Sequence, residues 1–192
     1  MRFCSQCGGT IELRVPEGED RERHVCTACS VVHYQNPKMV VGCMIEHEGK
    51  LLLCKRAIEP RRGLWTVPAG FLELGEGAAA GARRESYEEA CVNVEVLAPY
   101  TQFDIPHIGQ VYMIYRARMI EPTFGPGPES EEVKLVSPAE IPWEHIAFPV
   151  VRYALDFMVD DMRRGRYRTH HGVVVREPDG FKLREHIVLS VS

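Results

Sequence analysis

Three glutamates near the middle of the chain have the spacing of a metal site. Glu85, Glu88 and Glu89 would share one face of a helix, because side chains three and four positions apart are neighbours on a helix surface. Hard divalent cations such as Mg²⁺ prefer oxygen ligands and usually also contact a substrate phosphate. Arg84 directly precedes the first of these glutamates and can hold a carboxylate through a bidentate contact. The spacing therefore predicts a divalent-metal site on a helix.

A solvated helix face is the alternative interpretation of the same residues. Arginines and glutamates form weak ion pairs on many helix surfaces without any metal. However, residues 78–82 are all alanine or glycine. Side chains this small suit close approach to a sheet better than display to water.

Residues 70–92 resemble a Nudix box. That pattern is glycine, five residues, glutamate, seven residues, then Arg-Glu-aliphatic-any-Glu-Glu-any-Gly-aliphatic. The matching residues are Gly70, Glu76, Arg84, Glu85, Glu88, Glu89 and Val92. Ser86 replaces an aliphatic residue and Cys91 replaces the second glycine. Because a glycine after a helix usually supplies a left-handed cap, we expect Asn93 to cap a slightly longer helix instead.

The resemblance implies roles for these residues. The implied ligands of Mg²⁺ or Mn²⁺ are Glu85, Glu88, Glu89 and the backbone carbonyl of Gly70. Glu88, Glu89 and Arg84 are the implied catalytic residues, with Arg84 orienting the carboxylates. Glu76 is either a further outer ligand or simply the start of the helix.

A general base is expected from a later acidic loop, as in some members of the family. Residues 121–130 include three prolines and two glycines, which is typical of a loop that can close over a site. Glu129, Glu131 and Glu132 are the candidates there. We expect Glu132, directly before a predicted strand, to be the base; a merely solvated acidic loop is the alternative.

Two Cys-x-x-Cys pairs lie near the N-terminus. Cys4 and Cys7 form the first, and Cys26 and Cys29 form the second. Two such pairs joined by a hairpin can close a tetrahedral Zn²⁺ site that leaves no position for substrate. A segment this small depends on such a metal for its stability. The spacing predicts a zinc ribbon with a structural Zn²⁺.

Length and composition limit the function classes. The chain has 192 residues, 45% of them hydrophobic, and a net charge of −4. That charge does not favour general nucleic-acid affinity. No apolar run approaches the roughly 20 residues that span a bilayer, and the N-terminus does not begin a signal peptide. We expect a cytoplasmic protein that contacts neither membrane nor nucleic acid.

Apolar periodicity predicts the elements that must position the box. The predicted strands are residues 39–46, 50–55, 63–68, 93–103, 110–119 and 133–136, and a second helix is predicted at 148–164. With the resemblance, this indicates the α/β class: a Nudix α/β/α sandwich with a mixed sheet over residues 36–164. The zinc ribbon precedes it over residues 1–35. Residues 165–192 are expected to form a C-terminal extension that resembles a hairpin. The sequence leaves open whether this hairpin packs on the core or crosses to another subunit.

The resemblance implies hydrolysis of a nucleoside diphosphate linked to another moiety. A zinc ribbon before a Nudix domain is similar to NADH pyrophosphatases, but Ile-Ala-Phe-Pro at residues 146–149 replaces their Ser-Gln-Pro-Trp motif. Residues 33–37 and 105–107 resemble a branch that includes plant-type FAD pyrophosphatases. We therefore expect a small dinucleotide-type substrate, ADP-ribose or FAD first and NADH third.

An aromatic side chain should stack on the base or flavin. Phe103 and Phe148 are the candidates, and Tyr112 and Phe124 are also available. Related enzymes often complete their sites across two subunits, so we expect a homodimer.

Two other functions are possible. A regulator could bind an ADP-ribose-like effector without hydrolysing it, with the ribbon and an arginine patch at residues 163–168 contacting nucleic acid. A pure binder has no need of a complete ligand set, which argues against it. A housecleaning enzyme for oxidised mononucleotides would need neither the ribbon nor the C-terminal extension.

Overall fold

The computed structural model describes residues 1–189. The chain divides into two units, Met1–Asn36 and a second unit that begins at Pro37. The predicted extension at residues 165–192 ends three residues beyond the described part. Among the described residues, no helix has the length and apolarity needed to cross a membrane.

The N-terminal unit is a small antiparallel sheet around two cysteine turns. Its strands are β1 (Ile11–Arg14), β2 (Arg23–Cys26) and β3 (Val32–His33), in the order β1-β2-β3. Val25 and Cys26 on the central strand are buried. So few buried side chains cannot stabilise 36 residues alone, and the unit is therefore expected to need a metal.

The second unit is built on a mixed sheet. Its strands are β4 (Lys38–His47), β5 (Lys50–Arg56), β6 (Trp65–Thr66), β7 (Ala69–Phe71), β8 (Val94–Ile105), β9 (Gln110–Met119), β10 (Ser130–Val136), β11 (Thr169–Glu177) and β12 (Gly180–Leu189). The order is β10-β5-β4-β9-β8-β11-β12, with β6 against β5 and β7 against β4. Only the pairs β4–β9 and β8–β11 are parallel among the described strands.

Helices cover both faces of this sheet. They are α1 (Ala78–Ala90) and α2 (Pro149–Arg164). Successive side chains of a strand point to opposite faces, and on β5 Leu51 and Leu53 pack in the cluster that contains α2. Leu52 and Cys54 instead pack in the cluster that contains α1. The predicted α/β/α sandwich is confirmed.

Small residues bring α1 close to the sheet. A Cβ added to Gly81 would lie 3.0 Å from Cγ2 of Val41 on β4 and 2.8 Å from Oε1 of Glu76. Ala82 and Ala90 are fully buried. The helix that carries the glutamates is thereby seated directly on the central strands.

The expectation that Asn93 caps this helix is wrong. Cys91 itself adopts the left-handed conformation, with φ 48° and ψ 33°, and its amide donates to the Tyr87 carbonyl at 2.9 Å. A residue with a Cβ in this conformation costs about 1–2 kcal/mol. The helix therefore ends where the family pattern has glycine, although the residue is cysteine.

The second helix and the C-terminal strands are joined. Pro149 fits the first turn of α2, where no amide donor is needed, and Gly165 ends it at φ 62°. β11 and β12 then form an antiparallel hairpin, and β11 pairs in parallel with β8. The sequence left this partner open because parallel pairing joins segments far apart in the chain.

Candidate active site

Gly70 makes room for one of the box carboxylates. It lies on β7, which pairs with β4, and a Cβ added to it would lie 2.4 Å from Oε2 of Glu85. Any larger residue would therefore displace this carboxylate. The glycine and Glu85 form one compact surface of backbone and carboxylate oxygens.

Arg84 joins the loop to the helix. Its Nη1 donates to Oε1 of Glu85 at 2.7 Å and to Oε2 of Glu88 at 2.9 Å. Its Nη2 donates to Oε1 of Glu76 at 2.7 Å and to the Phe71 carbonyl at 3.1 Å. Such charge-assisted contacts fix the positions of carboxylates. The guanidinium therefore orients two box glutamates and the loop before the helix together.

Glu76 supports this loop. Its Oε1 also accepts the Glu73 amide at 2.8 Å. The side-chain hydrogen bond from Arg84, and then the Glu73 amide, hold the pKa of Glu76 below its usual range. With these contacts Glu76 holds the loop in place.

Glu85 and Glu89 are buried, whereas Glu88 is exposed. Burial, and then the charge of Glu85, raises the pKa of Glu89 to about 8. Burial also raises the pKa of Glu85, against the effect of Arg84. Two neighbouring buried carboxylates favour an added positive charge, so this end of the site suits a cation.

The proline- and glycine-rich loop packs on the end of α1. Gly125 donates its amide to the Ala90 carbonyl at 2.9 Å, and Gly127 donates to the Glu89 carbonyl at 3.0 Å. These bonds satisfy carbonyls that a helix end leaves free. A Cβ at Gly127 would lie 1.7 Å from the Glu88 carbonyl oxygen, so only glycine permits this contact.

The same loop brings Glu129, and not Glu132, to the cavity. Glu129 lines the cavity beside the box glutamates, and its carbonyl accepts the Ala57 amide at 2.8 Å. Glu132 lies on β10 after a bulge, does not line the cavity, and pairs with Lys134 at 2.7 Å. The structure therefore places Glu129 of the acidic loop at the cavity, and the preferred candidate from the sequence, Glu132, outside it.

A cavity of about 1010 Å³ extends from these carboxylates. Its acidic lining residues are Glu59, Glu73, Glu85, Glu88, Glu89 and Glu129, and its basic ones include Arg56, Arg61 and Arg84. A volume of this size accommodates a dinucleotide-sized molecule.

Phe148 lines this cavity and Phe103 does not. Phe103 is fully buried and packs against Phe157 with ring centroids 6.3 Å apart. It is a core residue, and its expected contact with substrate is not possible in this position. The Arg56 guanidinium lies 5.2 Å from the Phe148 ring centroid.

Arg56 is a residue that sequence analysis missed. It ends β5, lines the cavity, and its charge acts on Glu89 to lower that carboxyl's pKa against burial. Its Nε donates to the Pro60 carbonyl at 2.8 Å. A basic residue at a strand end is too common in sequences to indicate a site by itself. Its pairing with Phe148, far along the chain, is visible only in the fold.

The four N-terminal cysteines fit a tetrahedral metal. Their Sγ atoms lie within 4.8 Å of one another, with Cys4–Cys29 at 3.7 Å and Cys7–Cys26 at 3.5 Å. Zn–S bonds of about 2.3 Å give tetrahedral S–S edges of about 3.8 Å. The amides of Ala28 and Cys29 point at the Cys26 sulfur at 3.4 Å. The donor set is that of a structural zinc site.

The carboxylate oxygens of the box glutamates are not clustered as closely as the cysteine sulfurs are. Among residues 1–189, the cysteines are the only set of three or more potential ligands whose donor atoms all lie this close together. Glu85 and Glu88 are spaced around the Arg84 guanidinium. The surface formed by Gly70 and Glu85 and the buried Glu89 nevertheless fit a hard cation through oxygen donors alone.

Two family models match the chain. The model described as Nudix N-terminal, a zinc ribbon, matches residues 2–35. The model described as NUDIX domain matches residues 36–154.

Known relatives agree with these matches. The NAD-capped RNA hydrolase NudC of Vibrio atlanticus (strain LGP32) is 26% identical over 165 residues, which cover 85% of this chain and 60% of that protein. The corresponding NudC of Vibrio parahaemolyticus is 33% identical over 95 residues, 50% of this chain and 35% of that protein. The chain thus spans less than two thirds of the length of these curated relatives.

Solved structures share the fold. The crystal structure of a NUDIX hydrolase from Nitrosomonas europaea is 49% identical with a TM-score of 0.88, covering 90% of this chain and 98% of that one. An ADP-ribose pyrophosphatase from Streptococcus suis 89-1591 is 20% identical with a TM-score of 0.59, covering 71% of this chain and 99% of that one. The second likeness concerns the fold alone.

Proposed function

Since the chain belongs to the Nudix family and is a Nudix hydrolase with an N-terminal zinc ribbon, we propose that it cleaves the diphosphate of a dinucleotide-type substrate. ADP-ribose and FAD are the first candidates and NADH is the third. The NAD-capped RNA named for the NudC relatives contains the same kind of diphosphate and belongs in the same test.

The observation that carries this proposal is one cavity lined by both carboxylates and aromatic rings. Arg84 holds Glu85 and Glu88, and the buried Glu89 lies on the same helix. Aromatic and apolar side chains, among them Tyr112 and Phe148, line the same cavity. The carboxylates suit a cation-bound diphosphate, and the aromatic rings suit a planar base.

A divalent cation, Mg²⁺ or Mn²⁺, would be held by Glu85, Glu88, Glu89 and the Gly70 carbonyl. Such a cation supplies positive charge that offsets the charge of the diphosphate. Arg84 positions the carboxylates and does not itself need to contact substrate. Arg56 adds a fixed positive charge in the same cavity.

Glu129 is the proposed general base. A water O–H proton passes to its carboxylate while the water oxygen attacks one phosphorus, and the bond from that phosphorus to the bridging oxygen breaks. The second phosphate leaves with the bridging oxygen. The hydrogen bond from the Ala57 amide to the Glu129 carbonyl, at 2.8 Å, fixes the backbone of this residue, which is what positioned acid–base chemistry requires.

The test is a screen in Mg²⁺ or Mn²⁺ over ADP-ribose, FAD, NADH, NAD-capped RNA and oxidised mononucleotides, with products identified by chromatography. Preferred turnover of a dinucleotide into two monophosphates supports the proposal. Preferred turnover of a mononucleotide would replace it with the housecleaning function. No turnover of any substrate would contradict the proposed substrate class and favour an effector-binding role.

We propose that the four cysteines bind one structural Zn²⁺. We also propose that the protein is a homodimer and that it is cytoplasmic. Gly9 supports the zinc assignment, since a Cβ there would lie 3.1 Å from the Cys26 sulfur and 3.3 Å from the Cys7 sulfur. Zinc content after dialysis, and sedimentation of the purified protein, test the metal and the dimer.

A further inference from the structure

Two aromatic rings form a wall of the cavity that none of the assigned roles uses. His107, in a short 3₁₀ helix at Pro106–Ile108, and Phe181 on β12 both line the cavity. Their ring centroids are 5.6 Å apart and the rings are inclined by 39°. His107 is exposed, and Phe181 keeps 37% of its surface exposed. These rings are therefore accessible to a ligand.

The two rings share one cavity with the box carboxylates. His107 lies just before β9, which pairs with β4, and Gly70 on β7 pairs with the same strand. A cavity of about 1010 Å³ lined by both groups has room for a diphosphate, a sugar and a base.

The hairpin is fixed well enough to offer a binding surface. Tyr153 on α2 donates its hydroxyl to the Phe181 carbonyl at 2.9 Å. β11 pairs with β8, and Gly172 on β11 leaves space for the Leu183 side chain, which would lie 2.9 Å from an added Cβ. Phe181 is therefore held against the domain at its own main chain.

Two other rings of the cavity, Phe148 and Phe71, already have cationic partners. Arg56 lies 5.2 Å from the Phe148 ring centroid, and the Lys38 ammonium lies 5.2 Å from that of Phe71. The spacing of His107 and Phe181 is too small for a third ring between them, since stacked rings need about 3.5 Å on each side. A ligand ring would therefore stack on one side of this pair.

We propose that His107 and Phe181 form the subsite for the adenine ring of the substrate. This inference rests on the proposed function, because it places the base of the same dinucleotide. It joins His107, inside the 36–154 match to the family model, to Phe181 beyond it, in the C-terminal hairpin. The extension is then a specificity element of this chain.

The test is calorimetric binding of AMP and of ribose 5-phosphate, in Mg²⁺, to the full-length protein. The two ligands share a phosphate and a ribose and differ in the base. The variants are Phe181→Leu, which keeps apolar bulk without a ring, and Phe181→Tyr, which keeps the ring. Ile187→Ala is the matched control, because Ile187 is an exposed apolar residue on the same strand and does not line the cavity.

The expected result is that AMP binds the wild type at least about tenfold more tightly than ribose 5-phosphate, as stacking on an aromatic side chain allows. Phe181→Leu should weaken AMP by about tenfold and leave ribose 5-phosphate unchanged. Phe181→Tyr and Ile187→Ala should behave as the wild type does. Equal affinities for the two ligands, no binding of either, or an unchanged AMP affinity in Phe181→Leu would each overturn the subsite.

These outcomes are separate from those of the proposed function. AMP binding through Phe181 without hydrolysis of any dinucleotide would leave the subsite standing and reject the substrate assignment. Hydrolysis of ADP-ribose, with an AMP affinity that is unchanged in Phe181→Leu, would support the proposed function and reject the subsite.

Discussion

Arg84 and Glu76, eight residues apart, are joined by two hydrogen bonds of 2.7 and 3.2 Å. Through the same guanidinium, Glu85 and Glu88 on the helix are linked to the loop that precedes it. One planar cation thus determines where the carboxylates lie relative to Gly70 and the cavity.

Arg84→Lys should lower kcat by about 10- to 100-fold, the usual effect of removing a group that orients metal ligands. A lysine ammonium is a point charge and cannot reproduce the planar fork that reaches Glu76 and Glu85 together. Steady-state kinetics with the best substrate measure this. Arg83→Lys, at an exposed neighbouring position, is the control. Equal kcat values for Arg84→Lys and Arg83→Lys would show that catalysis does not depend on the orientation of the carboxylates by Arg84.

Glu129→Gln should reduce kcat by about 10²- to 10⁴-fold, the range for loss of a general base. Glu132→Gln should retain near wild-type activity, because Glu132 does not line the cavity and pairs with Lys134. Parallel pH–rate profiles of both variants check this. A larger loss of kcat in Glu132→Gln than in Glu129→Gln would identify Glu132 as the general base.

Cys91→Gly should raise the free energy of unfolding by about 0.5–1 kcal/mol. The glycine removes the strain of a Cβ at φ 48°, which outweighs the greater chain entropy of glycine in the unfolded state. Urea denaturation measures the change. Arg83→Gly, within the same helix and exposed, should instead destabilise by about 1 kcal/mol. A destabilised Cys91→Gly variant would mean that the cysteine side chain has a compensating contact.

Buried histidine should make the unfolding of the second unit sensitive to acid. His170 is buried beside Asp161, with Nε2 3.3 Å from Oδ2, and its Nδ1 lies 3.1 Å from Nε2 of His186. Burial lowers the pKa of His170 despite the Asp161 carboxylate. Because the folded-state pKa is below the unfolded value of about 6.5, His170 contributes stability at higher pH. That contribution is lost as pH falls below about 6.5.

Urea unfolding between pH 7.5 and 5 checks this prediction. The contribution of His170 to the free energy of unfolding should fall by up to about 1.4 kcal/mol per pH unit. The raised pKa of Glu89 acts in the opposite direction over the same range, so the readout is the difference between the wild type and His170→Gln. His170→Gln should flatten the profile, whereas His171→Gln, on the same strand and half-exposed, should not. A profile that stays the same in His170→Gln would remove His170 as the cause.

Short-range spacing predicted the elements of this protein well. The box helix, both cysteine turns and most strands depend on residues within about 20 positions of each other, so their chemistry is visible in the sequence. The strand predicted at residues 63–68 is shorter in the structure, Trp65–Thr66. The Cys91 cap differs because tertiary packing of Gly125 and Gly127 on the helix end fixes that end in place.

Long-range placement was harder to predict. Phe103 and Phe148 are equally aromatic in sequence, but Phe103 lies on β8 with its ring in the core, whereas Phe148 directly precedes α2 and lines the cavity. The bulge between Ser130 and Glu132 likewise separates two glutamates of one loop. A one-residue shift in a strand reverses the side a residue faces, and no local pattern reports it.

The most direct measurement of the central claim compares Glu88→Gln with the wild type on whichever of ADP-ribose and FAD is turned over faster, in Mg²⁺. Glu88 is exposed on α1, so the substitution should leave the free energy of unfolding within about 1 kcal/mol of the wild type. Two monophosphate products are expected from the wild type, and a folded Glu88→Gln protein should turn over about 10- to 100-fold more slowly. Undiminished turnover by that variant would contradict a metal-binding role for Glu88.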